Sequence, residues 1–189
     1  GVDGTDYRKC YIESLAKWAV ALGKIAAPTL LSAEHLTSGF CCGDASVDDW
    51  LIKRALKNQY SGASKTFVIC EAKSRVIGFY ALATGSVERN LATSNLSRGM
   101  PDPIPVIILG RLAVDENFKG RKLGASLLKD AILRTLAIAN SVGVRALLVH
   151  ALSEEAKRFY LKYGFKESPI EPMTLMISIT SLKQHLSSN

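Results

Sequence analysis

The chain has 189 residues, 48% of them hydrophobic and 22% charged, a balance that suits one soluble domain with a sizeable core and makes a second unnecessary. Its formal charge of +7 favours a polyanionic partner, nucleic acid first, with acidic membranes and anionic cofactors behind it. No run reaches the roughly 20 apolar residues of a membrane span, and Cys10, Cys41, Cys42 and Cys70 have neither zinc spacing nor the density of a disulfide scaffold.

The cysteines read as reduced thiols of a cytoplasmic protein, with small apolar filling as the ordinary role of the Cys41-Cys42 pair and redox activity as its alternative. His35, His150 and His185 lack ligand spacing, so no metal site is expected. Residues 1–22 carry no starting Met and no signal-peptide pattern; they are expected to stand outside the fold as an expression- or upstream-derived segment, with Tyr11 to Leu22 able to form a short amphipathic helix. The folded domain is expected over residues 23–182, with 183–189 as a tail.

From Ser46, read as an N-cap, a helix is predicted with Asp48 and Asp49 in its first turn, Trp50, Leu51 and Leu56 on its apolar side, and Lys53, Arg54 and Lys57 as a basic strip. Thr66 to Cys70 and Val76 to Ala83 predict an antiparallel hairpin. A polar insertion over 84–104 carries Arg89 and Arg98 and closes on Met100 to Pro105, whose prolines oppose regular hydrogen-bonded structure. Val106 to Val114 is the next strand, followed by a helix that Val142-Gly143 closes, a strand at Arg145 to Val149, a helix capped by Ser153 and ended by Gly164, and a last strand at Thr174 to Ile179.

Two places carry chemistry. Lys119 to Ser126 leads from a buried strand through a basic, glycine-bearing turn into a helix N-terminus, where unpaired N–H groups and the helix dipole can cradle a pyrophosphate. Downstream, a tyrosine in Phe159 to Phe165 supplies a hydroxyl usable as a general acid, and the two together suggest coenzyme A and acyl transfer.

These residues resemble the GNAT family of N-acetyltransferases over about residues 24–180. The family's Q/R-x-x-G-x-G/A loop is occupied by Lys119-Gly120-Arg121-Lys122-Leu123-Gly124, with lysine in place of the first residue and Lys122 in place of the middle glycine. The second signature is matched by Ala156, Phe159-Tyr160 and Gly164-Phe165. Within the family the chain is similar to the TacT-type toxins of bacterial toxin–antitoxin operons. The matching segments include Asp49-Trp50-Leu51, Leu56 to Gln59, Thr66-Phe67-Val68, Met100 to Pro105, Leu109 to Asp115, Gly143 to Ala146 and Val149-His150-Ala151.

The resemblance implies an α/β (α+β) fold whose mixed, mostly antiparallel central sheet is splayed between strands 4 and 5 and flanked by helices. It implies an acetyl-CoA-dependent N-acetyltransferase that acetylates the α-amino group of aminoacyl-tRNA and so blocks translation. It further implies a bacterial cytoplasmic homodimer, a ribbon-helix-helix antitoxin, and operator DNA engaged only through the antitoxin complex. Acetylation of a small amine or a protein, and a catalytically silent regulator, are the alternatives.

Carried residue by residue, the resemblance makes Tyr160 the acid that protonates the leaving sulfur, with core packing as its alternative role. It assigns Leu112, Ala113, Val114, Lys119, Gly120, Arg121, Lys122, Gly124, Ala125 and Ser153 to acetyl-CoA. Lys53, Arg54 and Lys57 become phosphate contacts rather than a solvated face, followed by Arg89 and Arg98. Arg111 divides between a substrate contact and an ion pair, and His150 between a satisfied core histidine and an active-site group. An ester-activated α-amine, with a pKa at or below the roughly 7.7 to 8.0 of a free terminus, is already largely neutral, so a water relay could remove its proton. Which aminoacyl-tRNAs are used is not legible in the chain.

Overall fold

Apolar alternation and helix punctuation place most elements where they are found in the computed structural model, which describes residues 25–72 and 74–187. The helix expected over 11–22 lies outside them. In chain order the elements are β1 (Thr29–Leu30), α1 (Ala45–Trp50), a π turn (Leu51–Ala55), α2 (Leu56–Ser61), β2 (Lys65–Glu71), β3 (Arg75–Val87), α3 (Ser94–Ser97) and β4 (Ile104–Val114). There follow α4 (Leu123–Ala139), β5 (Ala146–His150), α5 (Glu154–Lys162), β6 (Lys166–Glu167), β7 (Thr174–Ser178) and α6 (Ile179–Ser187). The strands form a seven-stranded sheet in the order β1-β2-β3-β4-β5-β7-β6. β4 and β5 are parallel from Val106↔Ala146 to Leu109↔Val149, and β4 then continues to Val114. β1–β2, β2–β3, β5–β7 and β6–β7 are antiparallel.

Two compact units divide the chain: one holds the residues up to Leu82 with Arg111–Arg134, the other Ala83–Gly110 with Thr135 onward. The first buries Leu31, Phe40, Val47, Leu51, Ala55, Val68, Val76, Phe79 and Ala113. Its helix starts one residue before the expected cap: Asp44, not Ser46, is the N-cap, because its extended backbone lets Oδ1 accept from Ser46 N at 2.9 Å and Val47 N at 3.4 Å. Both polar atoms of the buried Gln59 amide are engaged: Gln59 donates to Leu31 O and accepts from Thr66 N, tying α2 to the sheet edge. Buried Tyr80 donates to Asp130 of α4, whose carboxylate also takes Arg134 Nε at 2.9 Å.

The second unit packs Val87, Ala92, Leu96, Ile104, Val106, Ala146, Leu148 and Met176 together. Two expectations are corrected here. β3 runs on to Val87 instead of stopping at Ala83, since Thr84 and Ser86 alternate outward while Val87 stays buried. β4 begins at Ile104 and includes Pro105, which lacks a donor but still accepts from Arg145 N at 2.9 Å through its carbonyl. The rest of the insertion is short helical turns at Arg89–Leu91 and Ser94–Ser97. Arg145 donates to Leu96 O and Asn95 O, carbonyls that a four-residue helix leaves unpaired.

Candidate active site

In the first unit, the end of β4 is locked before the chain turns. Fully buried Asp115 accepts from Cys41 N at 3.3 Å, Asn117 N at 3.0 Å and Asn117 Nδ2 at 3.1 Å. Glu116 N donates to Cys41 O at 2.8 Å, and Lys119 Nζ reaches Cys42 O at 2.9 Å and the Glu116 carboxylate at 3.8 Å. The Phe40–Asp44 loop and the Asp115–Lys119 turn are therefore stitched together at both backbone and side-chain level. Burial pushes the Cys42 thiol up to about 12, so it is a protonated packing group.

Beyond that lock the backbone turns left-handed twice, at Gly120 (φ 78°) and at Lys122 (φ 61°). Lys122 stands where the family pattern has glycine, in a left-handed conformation that favours glycine. Ser126 N donates to Lys122 O at 3.1 Å, which makes Lys122 the first helical acceptor. Among the described residues, the amides of Gly120 to Ala125 have no partner, as the first turn of a helix requires. Arg121 rests 4.8 Å above the Phe118 ring, and exposed Lys122 has no charged partner among the described residues. Leu123, Leu127 and Leu128 anchor α4 beneath this turn. A run of free amides, a helix dipole and three cations form an anion cradle that fits a pyrophosphate. On the preceding strand Ala113 is buried, and Leu112 and Val114 are half-buried.

In the second unit, Ser153 caps α5 by accepting from Ala156 N at 3.1 Å, so the expected cap is found and the hydroxyl oxygen is engaged. Tyr160 lies on that helix at 6% exposure, edge-on to Phe159 at 5.2 Å and against Phe165 at 5.4 Å. Gly164 turns left-handed at φ 85°, letting Phe165 N donate back to Tyr160 O and seat its ring. Burial raises the Tyr160 phenol above the ordinary tyrosine range, and the hydroxyl has no hydrogen-bond partner among the described residues. Burial therefore keeps the phenol in its protonated form at neutral pH. Tyr163 packs on Phe159 at 5.1 Å.

The same unit holds a cavity of about 470 Å³ lined by Val87, Glu88, Ile108, Leu148, His150 and Glu171, among others. His150 Nδ1 meets Thr174 Oγ1 at 2.9 Å, and Thr174 Oγ1 donates to Glu171 Oε2 at 3.0 Å. His150 is thus exposed at the end of β5 rather than a core histidine. Glu88, Glu171 and Thr174 went unremarked in the sequence; the signal was the antiparallel register His150↔Thr174, visible only once β5 and β7 are paired.

The predicted nucleic-acid contacts separate into two groups. Lys53 is paired with Asp49 at 2.8 Å, whereas Arg54 and Lys57 are exposed and have no ion-pair partner among the described residues. Lys53 and Arg54 sit in the π turn, and Lys57 lies in the first turn of α2 that follows it. Arg89 is occupied locally, donating to Met100 O at 3.0 Å while its amide donates to Asp102, and Arg98 is exposed at the end of α3. Arg111 lies 5.6 Å from the Trp50 ring, a cation–π contact on a ring that stacks on Phe79.

Residues 63–167 match the family described as acetyltransferase (GNAT) domain. A tRNA-acetylating toxin of Mycobacterium tuberculosis is 49% identical over 152 residues, 80% of this chain and 91% of the relative. A solved structure of AtaT complexed with acetyl-methionyl-tRNAfMet has a TM-score of 0.78 at 24% identity, covering 86% of this chain and 99% of that one. The crystal structure of a KacTA–DNA complex has a TM-score of 0.71 at 27% identity, covering 87% and 98%.

Proposed function

The chain belongs to the GNAT family of acetyltransferases, and on that premise we propose that it is the toxin of a toxin–antitoxin pair, transferring acetyl from acetyl-CoA to the α-amino group of aminoacyl-tRNA. The observation that carries this reading is the 49% identity, along nearly the whole length of the relative, to a tRNA-acetylating toxin. The amide cradle at Gly120 to Ala125 supports it, since its free amides can accept an anion such as the pyrophosphate that acetyl-CoA carries.

When bound, acetyl-CoA supplies an acetyl group activated as a thioester. Lys119, Gly120, Arg121, Lys122, Gly124 and Ala125 hold the pyrophosphate through amides and cations, with Lys119 fixed by Cys42 O and Lys122 free to adjust. Leu112, Ala113 and Val114 offer backbone groups for pantetheine and for the charge that develops on the carbonyl oxygen. Ser153, its oxygen engaged as a cap, can still donate its proton toward the cofactor. Tyr160 protonates the departing sulfur: the site that raises the phenol also denies water to the thiolate, so the proton goes where charge would otherwise be buried.

Arg54 and Lys57, with Lys53 beside them, contact tRNA phosphates, and Arg89, Arg98 and Arg111 have lesser parts. The likeness to a KacTA–DNA complex supports a DNA-bound assembly, and an antitoxin is the partner through which operator DNA is engaged. That antitoxin is of ribbon-helix-helix type, the toxin is a homodimer, and both act in the bacterial cytoplasm. No helix of the described residues is long and apolar enough to cross a membrane. Mass spectrometry of the aminoacyl end, after charged and uncharged tRNA are each incubated with acetyl-CoA, tests the reading. One acetyl group on charged species alone supports it, and acetylation of free amines without tRNA overturns it.

A further inference from the structure

Resting on the reading above, the geometry points to His150 as the base that takes the proton of the attacking amine, with Thr174 and Glu171 as the residues that position it. The hydrogen-bond directions fix the tautomer. Thr174 has one hydroxyl proton and donates it to Glu171 Oε2 at 3.0 Å, so toward His150 at 2.9 Å its oxygen can only accept. Nδ1 therefore carries the ring proton, and Nε2, which has no partner among the described residues, carries the lone pair.

The positioning pair is itself held. Ser168 Oγ accepts from Ile170 N at 3.4 Å and Glu171 N at 3.2 Å, Thr174 N donates to Glu171 O at 2.9 Å, and the β5–β7 register sets Thr174 opposite His150. A carboxylate behind a hydroxyl behind an imidazole stabilises the imidazolium that forms when Nε2 is protonated.

The surroundings suit an acceptor. His150 lines a cavity of about 470 Å³ with an apolar wall of Val87, Ile108 and Leu148, and the carboxylates facing it are Glu88 and Glu171. A concave pocket in which apolar walls meet convergent polar groups is a usual form of a small-group binding site. His150 ends β5, and the chain passes directly from it to the Ser153 cap of α5, which carries Tyr160.

In the step, the amine nitrogen bonds to the acetyl carbon, its proton passes to His150 Nε2, the carbon–sulfur bond breaks, and the sulfur takes the Tyr160 proton. The imidazolium then releases its proton to water and the phenolate recovers one. Because the amine attacks already neutral, the base removes only the proton made acidic by attack, and its contribution is expected at the lower end of the general-base range, roughly 10²-fold.

His150→Gln removes the base; single-turnover acetylation of charged tRNA should fall about 10²-fold with acetyl-CoA and tRNA affinities unchanged. His150→Ala should regain part of its rate with added imidazole, a response that a structural role would not give. Thr174→Val should lower the rate less and release the tautomer preference, read by ¹⁵N NMR of the imidazole in the protein without substrate. A His150→Gln rate within threefold of wild type, or an Nε2–H tautomer in the wild-type protein, overturns the proposal. Failure of the wild-type protein to acetylate charged tRNA would instead fault the proposed function, and the tautomer measurement would still decide the role of His150.

Discussion

Lys122 holds a left-handed backbone at φ 61° where the family pattern has glycine, and replacing it separates strain from charge. A non-glycine residue in this region costs roughly 1–2 kcal/mol, and glycine returns about 0.4–1 kcal/mol of that by enlarging the freedom of the unfolded chain. Lys122→Gly should therefore stabilise the fold by about 0.5–1 kcal/mol, and a shift of roughly 1–4 °C in Tm is expected for a chain of this length. Lys122→Ala removes the same charge but keeps the strain, so its stability should match wild type. Both variants should bind acetyl-CoA a few-fold more weakly, because the ammonium is exposed and an exposed ion contact is worth about 0.2–1 kcal/mol. Denaturant titration gives the stabilities and calorimetry the affinities. Lys122→Gly proving no more stable than Lys122→Ala would refute the strain argument.

Tyr160→Phe keeps the ring and its contacts with Phe159 and Phe165, so stability should hold while the chemical step loses roughly 10² to 10⁴ in rate, checked by single-turnover acetylation beside thermal denaturation. Burial raises the Tyr160 phenol, so the acid stays protonated as pH rises through the ordinary value of about 10; the alkaline fall of kcat/KM should lie above that value, and a fall near pH 8 would remove Tyr160 as the acid. Arg54→Glu with Lys57→Glu should weaken tRNA binding more than Lys53→Glu alone, because Lys53 is already paired with Asp49. Each lost phosphate contact should shallow the log affinity against log salt plot by about 0.7 to 0.9, and slopes equal to wild type would return the strip to a solvated face. Gly124→Glu should abolish acetyl-CoA binding by calorimetry with the fold intact, placing a carboxylate in the first turn of α4.

Legibility in the sequence followed the range of the interaction. The β2–β3 hairpin, the helix behind the cradle, the Ser153 cap and the Gly164 turn are set by neighbours within a few residues, and each was readable from spacing and punctuation. The cap falls at Asp44 rather than Ser46 because both residues are good caps and only the backbone angle decides. The π turn at Leu51–Ala55 carries no local signature. Spacing alone does not decide between a substrate contact and an ion pair for Arg111, because its seat against Trp50 joins distant parts of the chain. His150 looked ambiguous for the same reason: its partners, Thr174 and Glu171, arrive only when β7 pairs with β5.

The proposed reaction moves an acetyl group from acetyl-CoA onto the amine of charged tRNA. Labelled acetyl-CoA incubated in parallel with aminoacyl-tRNA, deacylated tRNA and free amino acids tests it most directly. Label should appear on aminoacyl-tRNA alone, be released with the amino acid when the ester is hydrolysed, and be lost with Tyr160→Phe. Label on deacylated tRNA or on free amino acids at comparable rate, or full transfer by Tyr160→Phe, would contradict the account.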